Sequence, residues 1–569
     1  MEAETATPGV KFIDIAAEAG LGGARNVSGD PRNKQFLIEE MGCGVALFDY
    51  DNDGWLDIFL VNGTSFDTAK SGRKPTSYLF RNNRDGTFTD VTAKTGFTHS
   101  GWGQACCVGD YDNDGLDDLF VTYWGRNILY HNNGDGTFTD VSEKAGVAGV
   151  ERRWGAGCCF TDFDRDGHLD LFVSNYVNFD PERVPRPGAA AICRYNGIGV
   201  PCGPQGLAGG TNILYRNRGN GTFEDVSERA GIANPRGLPS PVFVADHWRP
   251  VGSYAMGAIA ADFDNDGWPD IFVSCDSAPS LLYHNNHDGT FTETGVAAGC
   301  AFDENGVAMS GMGAAAADYD SDGWLDIVRA NFSDQVTTLY RNNGDGTFED
   351  ASLSAGLGVN SKFLGFGAGF FDFDNDGWKD IFLANGHVYS QLAGRNLYLT
   401  YEQPRLLYRN LRNGKFEDVS AKAGPGITAA RVGRGCAFGD LDNDGDIDIV
   451  VNNLDAAPSV LRNEGGNRNN SLLIKCTGTR SNRSAIGARV KVSAGPHTQI
   501  DEVMSGSGYY SHNDLRLHFG IGASAKADRV EVLWPSGSKE WFADVPANHL
   551  ISITETKGIV KRERFRPAR

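Results

Sequence analysis

The sequence predicts an all-β protein: a seven-bladed β-propeller closed by its own N-terminal strand, then a small C-terminal β-sandwich-like domain. Three observations predict it. The phrase Asp-x-Asp-x-Asp-Gly-x-x-Asp recurs seven times, beginning at Asp49, Asp110, Asp162, Asp262, Asp318, Asp372 and Asp440. A second phrase follows the first six, as in LYHNNGDGTFTDV from Leu129 and LYRNNGDGTFEDA from Leu339. Glycine supplies 73 of 569 residues, well above the usual share and without a collagen period, which implies many turns between short strands.

Each unit reads as four strands. A Gly-rich strand, such as Gly103–Val108, runs into the Asp loop, and an apolar strand such as Leu116–Thr122 follows. Leu-Tyr-Arg-Asn forms the third strand. Asn-Asn-Gly-Asp-Gly makes a hairpin turn, because Asn and Gly tolerate positive φ, and Thr-Phe-Thr-Asp-Val is the fourth strand. Four-stranded units of about 40–60 residues, repeated four to eight times, are the signature of a propeller.

The seventh unit has a second strand (Ile447–Asn452) and a third (Ser459–Asn463) but no fourth. The missing strand stands at the other end of the chain, Val10 to Ile15, followed by AAEAGL, which matches the VSEKAGV that follows another fourth strand. Pairing these ends leaves no open sheet edge; an open solenoid is the alternative. The propeller is therefore expected over 1–466. Residues 467–556 contain no Asp loop but alternate as half-buried strands, at Leu472–Ile474, Ala488–Val492, Leu515–Phe519, Val530–Trp534 and Leu550–Ile553. The basic stretch 557–569 is expected to be a solvated end.

Lys and Arg number 52 against 73 Asp and Glu, a net charge of −21, which argues against binding nucleic acid or an anionic membrane through the overall field. Hydrophobic residues make up 40% and aromatics 11%, enough for a packed core rather than an acidic disordered tail. No apolar run approaches the ~18 residues of a membrane-spanning helix. The first residues lack the basic and apolar regions of a signal peptide, so the chain is expected to be either cytoplasmic or a product from which a leader was removed.

The Asp loops carry metal-site chemistry. Calcium takes six to eight hard oxygen ligands from a flexible loop. Positions 1, 3, 5 and 9 supply carboxylates, position 7 a carbonyl, and Gly at position 6 the sharp turn. The expected ligands are Asp49, Asp51, Asp53, Trp55 and Asp57; Asp110, Asp112, Asp114, Leu116 and Asp118; Asp162, Asp164, Asp166, His168 and Asp170; Asp262, Asp264, Asp266, Trp268 and Asp270. The last three loops contribute Asp318, Asp320, Asp322, Trp324 and Asp326; Asp372, Asp374, Asp376, Trp378 and Asp380; Asp440, Asp442, Asp444, Asp446 and Asp448. A solvated polar turn is the bland alternative, but four carboxylates within nine residues repel one another unless a cation neutralises them. About seven Ca²⁺ are expected. Mg²⁺ fits less well, because it prefers a strict octahedron and retained water.

These repeats resemble FG-GAP/VCBS repeats, as in integrin α-subunit propellers. The C-terminal segments AIGARVKV (from Ala485), SGSGYYSHNDLRLHFGIG (from Ser505) and VEVLWPSG (from Val530) resemble an ASPIC/UnbV domain. Together they resemble the cartilage acidic protein family in its bacterial form; animal members add a Cys-rich EGF-like module that this chain lacks. The resemblance implies a secreted or periplasmic location, where calcium sites fill, and a calcium-binding or adhesive role.

Eleven cysteines cannot all pair within the chain. Cys106, Cys107, Cys158, Cys159 and Cys436 occupy slots before the Asp loops that small residues otherwise fill, so they read as small hydrophobes. Cys193 and Cys202 sit in a Pro/Gly-rich insertion and are expected to form a local disulfide in an oxidising compartment. No HExxH, GxSxG, phosphate-loop or CxxC motif occurs. His131 and His284 take the Arg slot of Leu-Tyr-Arg-Asn and read as structural variants. His387 lies in a long loop and is the histidine to watch.

In a propeller, the Asp loops and the Asn-Asn-Gly-Asp-Gly turns share one rim. The long irregular segments Asn178–Gly210, Asn234–Ser253 and Gly386–Pro404 share the other. Trp102, Gln104, Trp154, Tyr254, Met256, Met312, Phe366 and Arg434 approach that second rim. With His387, they are expected either to pack under the insertions or to form an aromatic recognition surface for an extracellular protein or glycan. An enzyme acting on polysaccharide from the same face is the competing reading.

Overall fold

The computed structural model describes residues 9–67, 74–150, 152–233, 252–395 and 397–567, together with the backbone of two short strands, Val242–Val244 and His247–Arg249. Most of the expected insertion Asn234–Ser253 thus lies outside the described residues.

The chain is all-β, and each Asp loop belongs to its own four-stranded antiparallel sheet. The second sheet shows the pattern: Trp102–Gly109, Asp118–Trp124, Ile128–Asn132 and Phe138–Asp140 pair in chain order. The Asp loop joins the first strand to the second, and the Asn-Gly turn joins the third to the fourth. Apolar residues on both faces of the inner strands explain their continuous burial; Asp118–Tyr123 is buried at every position. In the last sheet, Gly433–Gly439, Asp448–Asn453 and Ser459–Glu464 are completed by Lys11–Asp14, with Phe12 opposite Asn463. The N-terminal strand therefore supplies the fourth strand that the seventh unit lacks.

Repeated four-stranded sheets of this kind fit a β-propeller. Neighbouring sheets are stitched by the Asn of Leu-Tyr-Arg/His-Asn. Its side-chain amide donates to the carbonyl of loop position 2 one sheet back: Asn132 to Tyr50, Asn217 to Tyr111, Asn285 to Phe163, Asn342 to Phe263, Asn410 to Tyr319 and Asn463 to Phe373, all at 2.8–2.9 Å. Asn82 of the first sheet donates in the same way to Leu441 of the last, at 2.8 Å.

Residues 470–564 form two further four-stranded sheets. One has the order Leu517–Gly522, Asn470–Thr477, His549–Thr554, Gly558–Arg564; the other is His497–Glu502, Arg489–Ala494, Lys526–Leu533, Lys539–Pro546. The basic end corrects the expectation of a solvated tail: Gly558–Arg564 pairs antiparallel with His549–Thr554 as an edge strand. Its Lys and Arg side chains are exposed, which is how an edge strand avoids pairing with other chains.

This C-terminal region packs on the Asp-loop rim. Asp110 N–H donates to Ser484 Oγ at 2.9 Å, Lys379 pairs with Asp501 at 2.7 Å and Ser471 Oγ donates to the Gly445 carbonyl at 2.7 Å. From it, the segment Ser505–Asn513 enters the space between the first strands of the seven sheets and pairs with their backbones. Cys106 N donates to Tyr510 O (3.0 Å), Gly508 N to Ala314 O (2.8 Å), and His512 N to Val45 O (2.9 Å). Tyr509 and Tyr510 are buried there and stack at 3.9 Å. Glycine makes the approach possible. A Cβ at Gly44 would collide with the Tyr510 carbonyl oxygen; one at Gly313 would stand 2.6 Å from Tyr509 N, and one at Gly435 2.5 Å from Ser511 Oγ.

Candidate metal centres and the opposite face

All seven Asp loops share one local design. The Gly at position 6 has positive φ, from 87° to 95°, which the turn requires. Its N–H donates to the position-1 carboxylate, as Gly54 to Asp49 at 2.8 Å. The position-7 N–H donates to the position-5 carboxylate, as Trp55 to Asp53 at 3.0 Å and His168 to Asp166 at 3.0 Å. The position-9 carboxylate accepts the N–H of the third-strand Asn, as Asp57 from Asn82 at 2.8 Å. The carboxylates at positions 1, 5 and 9 are thus fixed by backbone hydrogen bonds, whereas position 3 mostly lacks them, Asp264 taking one from the Asp266 N–H at 3.3 Å.

That exception matters. Four position-3 oxygens, Asp51 Oδ1, Asp164 Oδ1, Asp320 Oδ1 and Asp374 Oδ1, and the position-1 oxygen Asp162 Oδ1 are enclosed yet have no hydrogen-bond partner among the described residues. Buried carboxylate oxygens without partners are costly. In several loops three acidic groups offer ligand atoms within 4.8 Å of one another, for example Asp49, Asp51 and Asp53, or Asp162, Asp164 and Asp170. Burial, followed by the neighbouring carboxylates, pushes the Asp162 carboxyl up to about 7. In Asp118, burial pushes the carboxyl up to about 8, against the pull of His131 and of its hydrogen bonds. Ionising such groups together requires a cation.

Part of the charge is met by the third strand. Arg81 lies 2.7 Å from Asp51 and 3.1 Å from Asp53; Arg341 lies 2.6 Å from Asp320 and 2.8 Å from Asp322. Arg216 and Arg409 do the same for Asp164 with Asp166 and Asp374 with Asp376. These pairs hold positions 3 and 5 from outside the loop.

At the opposite end of the strands, packing and not an open surface is found. Trp102, Gln104, Trp154, Tyr254, Phe366, His387 and Arg434 are all buried, as are Met256 and Met312. They form no open aromatic surface. Trp102 packs on Phe66 (5.0 Å) and Trp154 on Tyr176 and Phe179 (5.1 and 5.8 Å). Arg434 lies over the Phe366 ring at 3.9 Å and donates to the carbonyls of Glu40, Gly386 and His387. Tyr509 packs on Phe366 at 4.9 Å, and its hydroxyl reaches the Met41 carbonyl at 3.1 Å. The space beneath the expected recognition surface is therefore filled from one side by Tyr509–Tyr510 and covered from the other. The cover includes residues 26–43, a segment the repeat pattern does not single out; its Phe36 packs on Phe66 and Phe179.

Cys193 and Cys202 form a disulfide within the 178–210 insertion, and the nine other cysteines are buried thiols. His387 is buried among Tyr195, Phe332 and Tyr389, and burial followed by Arg434 lowers its pKa to about 3. Its Nε2 and both carboxylate oxygens of buried Glu40 lack partners. Glu40 carries no motif, so the sequence offers no signal for it. Beside this covered region is an open cleft of about 460 Å³, lined by Arg152, Arg153, Arg183 and Asp180 around Phe179 and Leu207. No helix among the described residues is long and apolar enough to cross a membrane.

Comparison with known proteins agrees with this organisation. A profile described as an FG-GAP-like repeat matches residues 49–121, 110–173, 206–273, 262–329, 318–383 and 395–451, and one described as ASPIC and UnbV matches 478–560. The chain belongs to the family of FG-GAP repeat proteins with a C-terminal ASPIC and UnbV domain, the cartilage acidic protein family. Its relatives include cartilage acidic protein 1 of Xenopus tropicalis, 25% identical over 513 residues, covering 88% of this chain and 71% of that protein. The human protein of the same name is 29% identical over 298 residues, covering 50% of this chain but 41% of its own length, so the match spans about two-fifths of that relative. Among solved structures, an Agrocybe aegerita lectin that recognises non-reducing terminal N-acetylglucosamine aligns at a TM-score of 0.35 and 19% identity, covering 66% of this chain and 79% of its own. The exotype rhamnogalacturonan lyase YesX aligns at 0.37 and 11%, covering 80% and 75%.

Proposed function

We propose that the chain is a calcium-stiffened, closed seven-bladed propeller, over 1–466, that serves as an extracellular scaffold for recognising a protein or carbohydrate partner. The observation that carries the calcium reading is the set of enclosed, partnerless carboxylate oxygens at position 3, converging with those of positions 1, 5 and 9. Hard oxygen donors in a flexible loop suit Ca²⁺, with Asp at positions 1, 3, 5 and 9 and the position-7 carbonyl holding it. The ion would neutralise the loop and clip the first strand to the second. The stitch from Asn82 to Leu441 and the pairing of Lys11–Asp14 with Ser459–Glu464 support closure.

Recognition is then assigned to the cleft at Arg152, Arg153 and Arg183 rather than to the axis. Three guanidinium groups, one carboxylate and an apolar floor suit a partner that carries carboxylate or sulfate groups. An array of acidic glycans and proteins probed with the calcium-loaded chain tests this. Arg153→Ala with Arg183→Ala is expected to abolish binding without changing the calcium content. Binding that survives both substitutions would refute the assignment. The enzyme reading retains one supporting observation, the partnerless Glu40 carboxyl and His387 Nε2. It requires the covered region to open to substrate, and Glu40→Gln would then abolish turnover.

A further inference from the structure

The seven Asp loops are not chemically equivalent. At one register of the third strand, five sheets place Arg and two place His: His131 stands opposite Thr139 and His284 opposite Thr292, as Arg81 stands opposite Thr89. In the seventh sheet, Arg462 turns instead to Glu464. The arginines grip positions 3 and 5 through their N–H groups. The histidines do something else: their Nδ1 atoms face positions 3 and 9. His131 Nδ1 is 3.4 Å from Asp112 Oδ2 and 3.2 Å from Asp118 Oδ1; His284 Nδ1 is 3.2 Å from Asp264 Oδ2 and 3.3 Å from Asp270 Oδ1. The same geometry thus occurs twice, at rings 153 positions apart in the sequence (284 − 131 = 153).

In both loops the three side chains offer one ligand atom each within 4.8 Å of one another. His131 Nδ1 is enclosed and makes no hydrogen bond, although two carboxylates stand close to it. The fourth loop adds a second imidazole, with His287 Nε2 2.5 Å from Asp266 Oδ2 and its ring stacked on Trp268.

Guanidinium has no lone pair to give, so the Arg-type loops present oxygen only. A neutral imidazole with two carboxylates is a mixed nitrogen–oxygen set, which gains little from Ca²⁺ and suits Zn²⁺, Mn²⁺ or Co²⁺. We propose that the second and fourth loops are histidine–carboxylate sites for a divalent transition metal, with Asp112, Asp118 and His131 as ligands of one and Asp264, Asp270 and His284 as ligands of the other. This rests on reading the Asp loops as cation sites but assigns these two a different ion from the rest.

The test uses the full chain, stripped with a chelator and dialysed against micromolar Co²⁺ in millimolar Ca²⁺. Two Co²⁺ per chain are expected to remain, with hyperfine-shifted imidazole proton resonances in the NMR spectrum. His131→Arg, which installs the residue five other sheets carry at this register, is expected to lose one Co²⁺. Adding His284→Arg is expected to lose both, with the calcium of the other five loops retained. If an Arg variant melts early, His131→Gln and His284→Gln give the same comparison. Loss of all Co²⁺ from the unsubstituted chain in excess Ca²⁺, or retention of both ions by the double variant, overturns the proposal. Failure of the remaining loops to take Ca²⁺ while Co²⁺ is retained would instead overturn the calcium reading alone.

Discussion

The two ends of the same strands are built on opposite principles. At the Asp-loop rim, one nine-residue phrase is repeated seven times, and each copy solves its own hydrogen-bonding locally: Asp49 with Gly54, Asp53 with Trp55, Asp57 with Asn82. At the other rim no phrase repeats. Phe36 and Phe179 come from separate segments outside the repeat and Trp102 from a first strand; they are buried, with Phe66 half-buried beside them, because they meet one another. The first end is fixed in its geometry but electrostatically incomplete; the second is closed by packing. The lesson is that local repetition suits a site that binds an ion, whereas sealing a surface needs contacts that no single repeat can supply.

The largest effect that would break this comparison is chelation. If calcium completes the rim, each site occupied at a hundredfold ligand excess contributes about 2.7 kcal/mol. Removing the ions with EGTA should lower the melting temperature by about 10 °C or more, read by calorimetry. Equal midpoints with and without calcium would show that the loops are complete on their own.

Next comes the axis. Tyr510 is buried, stacked on Tyr509 and anchored through its carbonyl to Cys106. Tyr510→Ala should cost about 3–5 kcal/mol in denaturant unfolding, through lost burial and the cavity left behind. Trp541, 61% exposed on the C-terminal sheet, is the control: Trp541→Ala should stay within about 0.5 kcal/mol. A similar loss for both would mean that the axial segment is not a structural strut.

A smaller effect sharpens the electrostatic half. Burial raises the carboxyls of Asp110, Asp162 and Asp318 to about 7 in the metal-free loops, helped by neighbouring carboxylates. A raised folded-state pKa means that the folded chain holds protons which the unfolded chain releases. Stability from these groups is complete below the unfolded value near 4 and is lost as pH rises through about 7. In chelator, the melting temperature should therefore fall between pH 5 and 8; with calcium replacing the protons, that fall should disappear. A chelated protein whose midpoint rises over this range would contradict the picture. The smallest effect is a single loop: Asp374→Asn removes one partnerless ligand and should lower calcium by one ion per chain in metal analysis, leaving the Arg153 cleft untouched.

Much of the molecule was legible because its chemistry is written in short, repeated phrases. Four strands per unit, the Asp loop between the first and second, and the N-terminal strand completing the last sheet all follow from spacing and from which phrase is missing where. The motif from Ser505 was legible as a motif, but its destination was not. Its partners are backbone groups of Val45, Cys106 and Ala314, and a main-chain hydrogen bond depends on position, not residue type. The one trace it left is the glycine five residues before the Asp loop in six of seven units, Gly44, Gly157, Gly257, Gly313, Gly367 and Gly435, where a side chain would leave too little room at the axis. For the same reason, Trp102 and Arg434 could be read either as exposed anchors or as packing under the insertions. Their residue types suit a binding surface, and only the tertiary structure, by bringing Tyr509 and Phe66 against their neighbours, decided that they are core. The sequence by itself determined the carboxylates and their spacing, because ligand chemistry is local; which surfaces stay open is set by contacts between segments hundreds of residues apart.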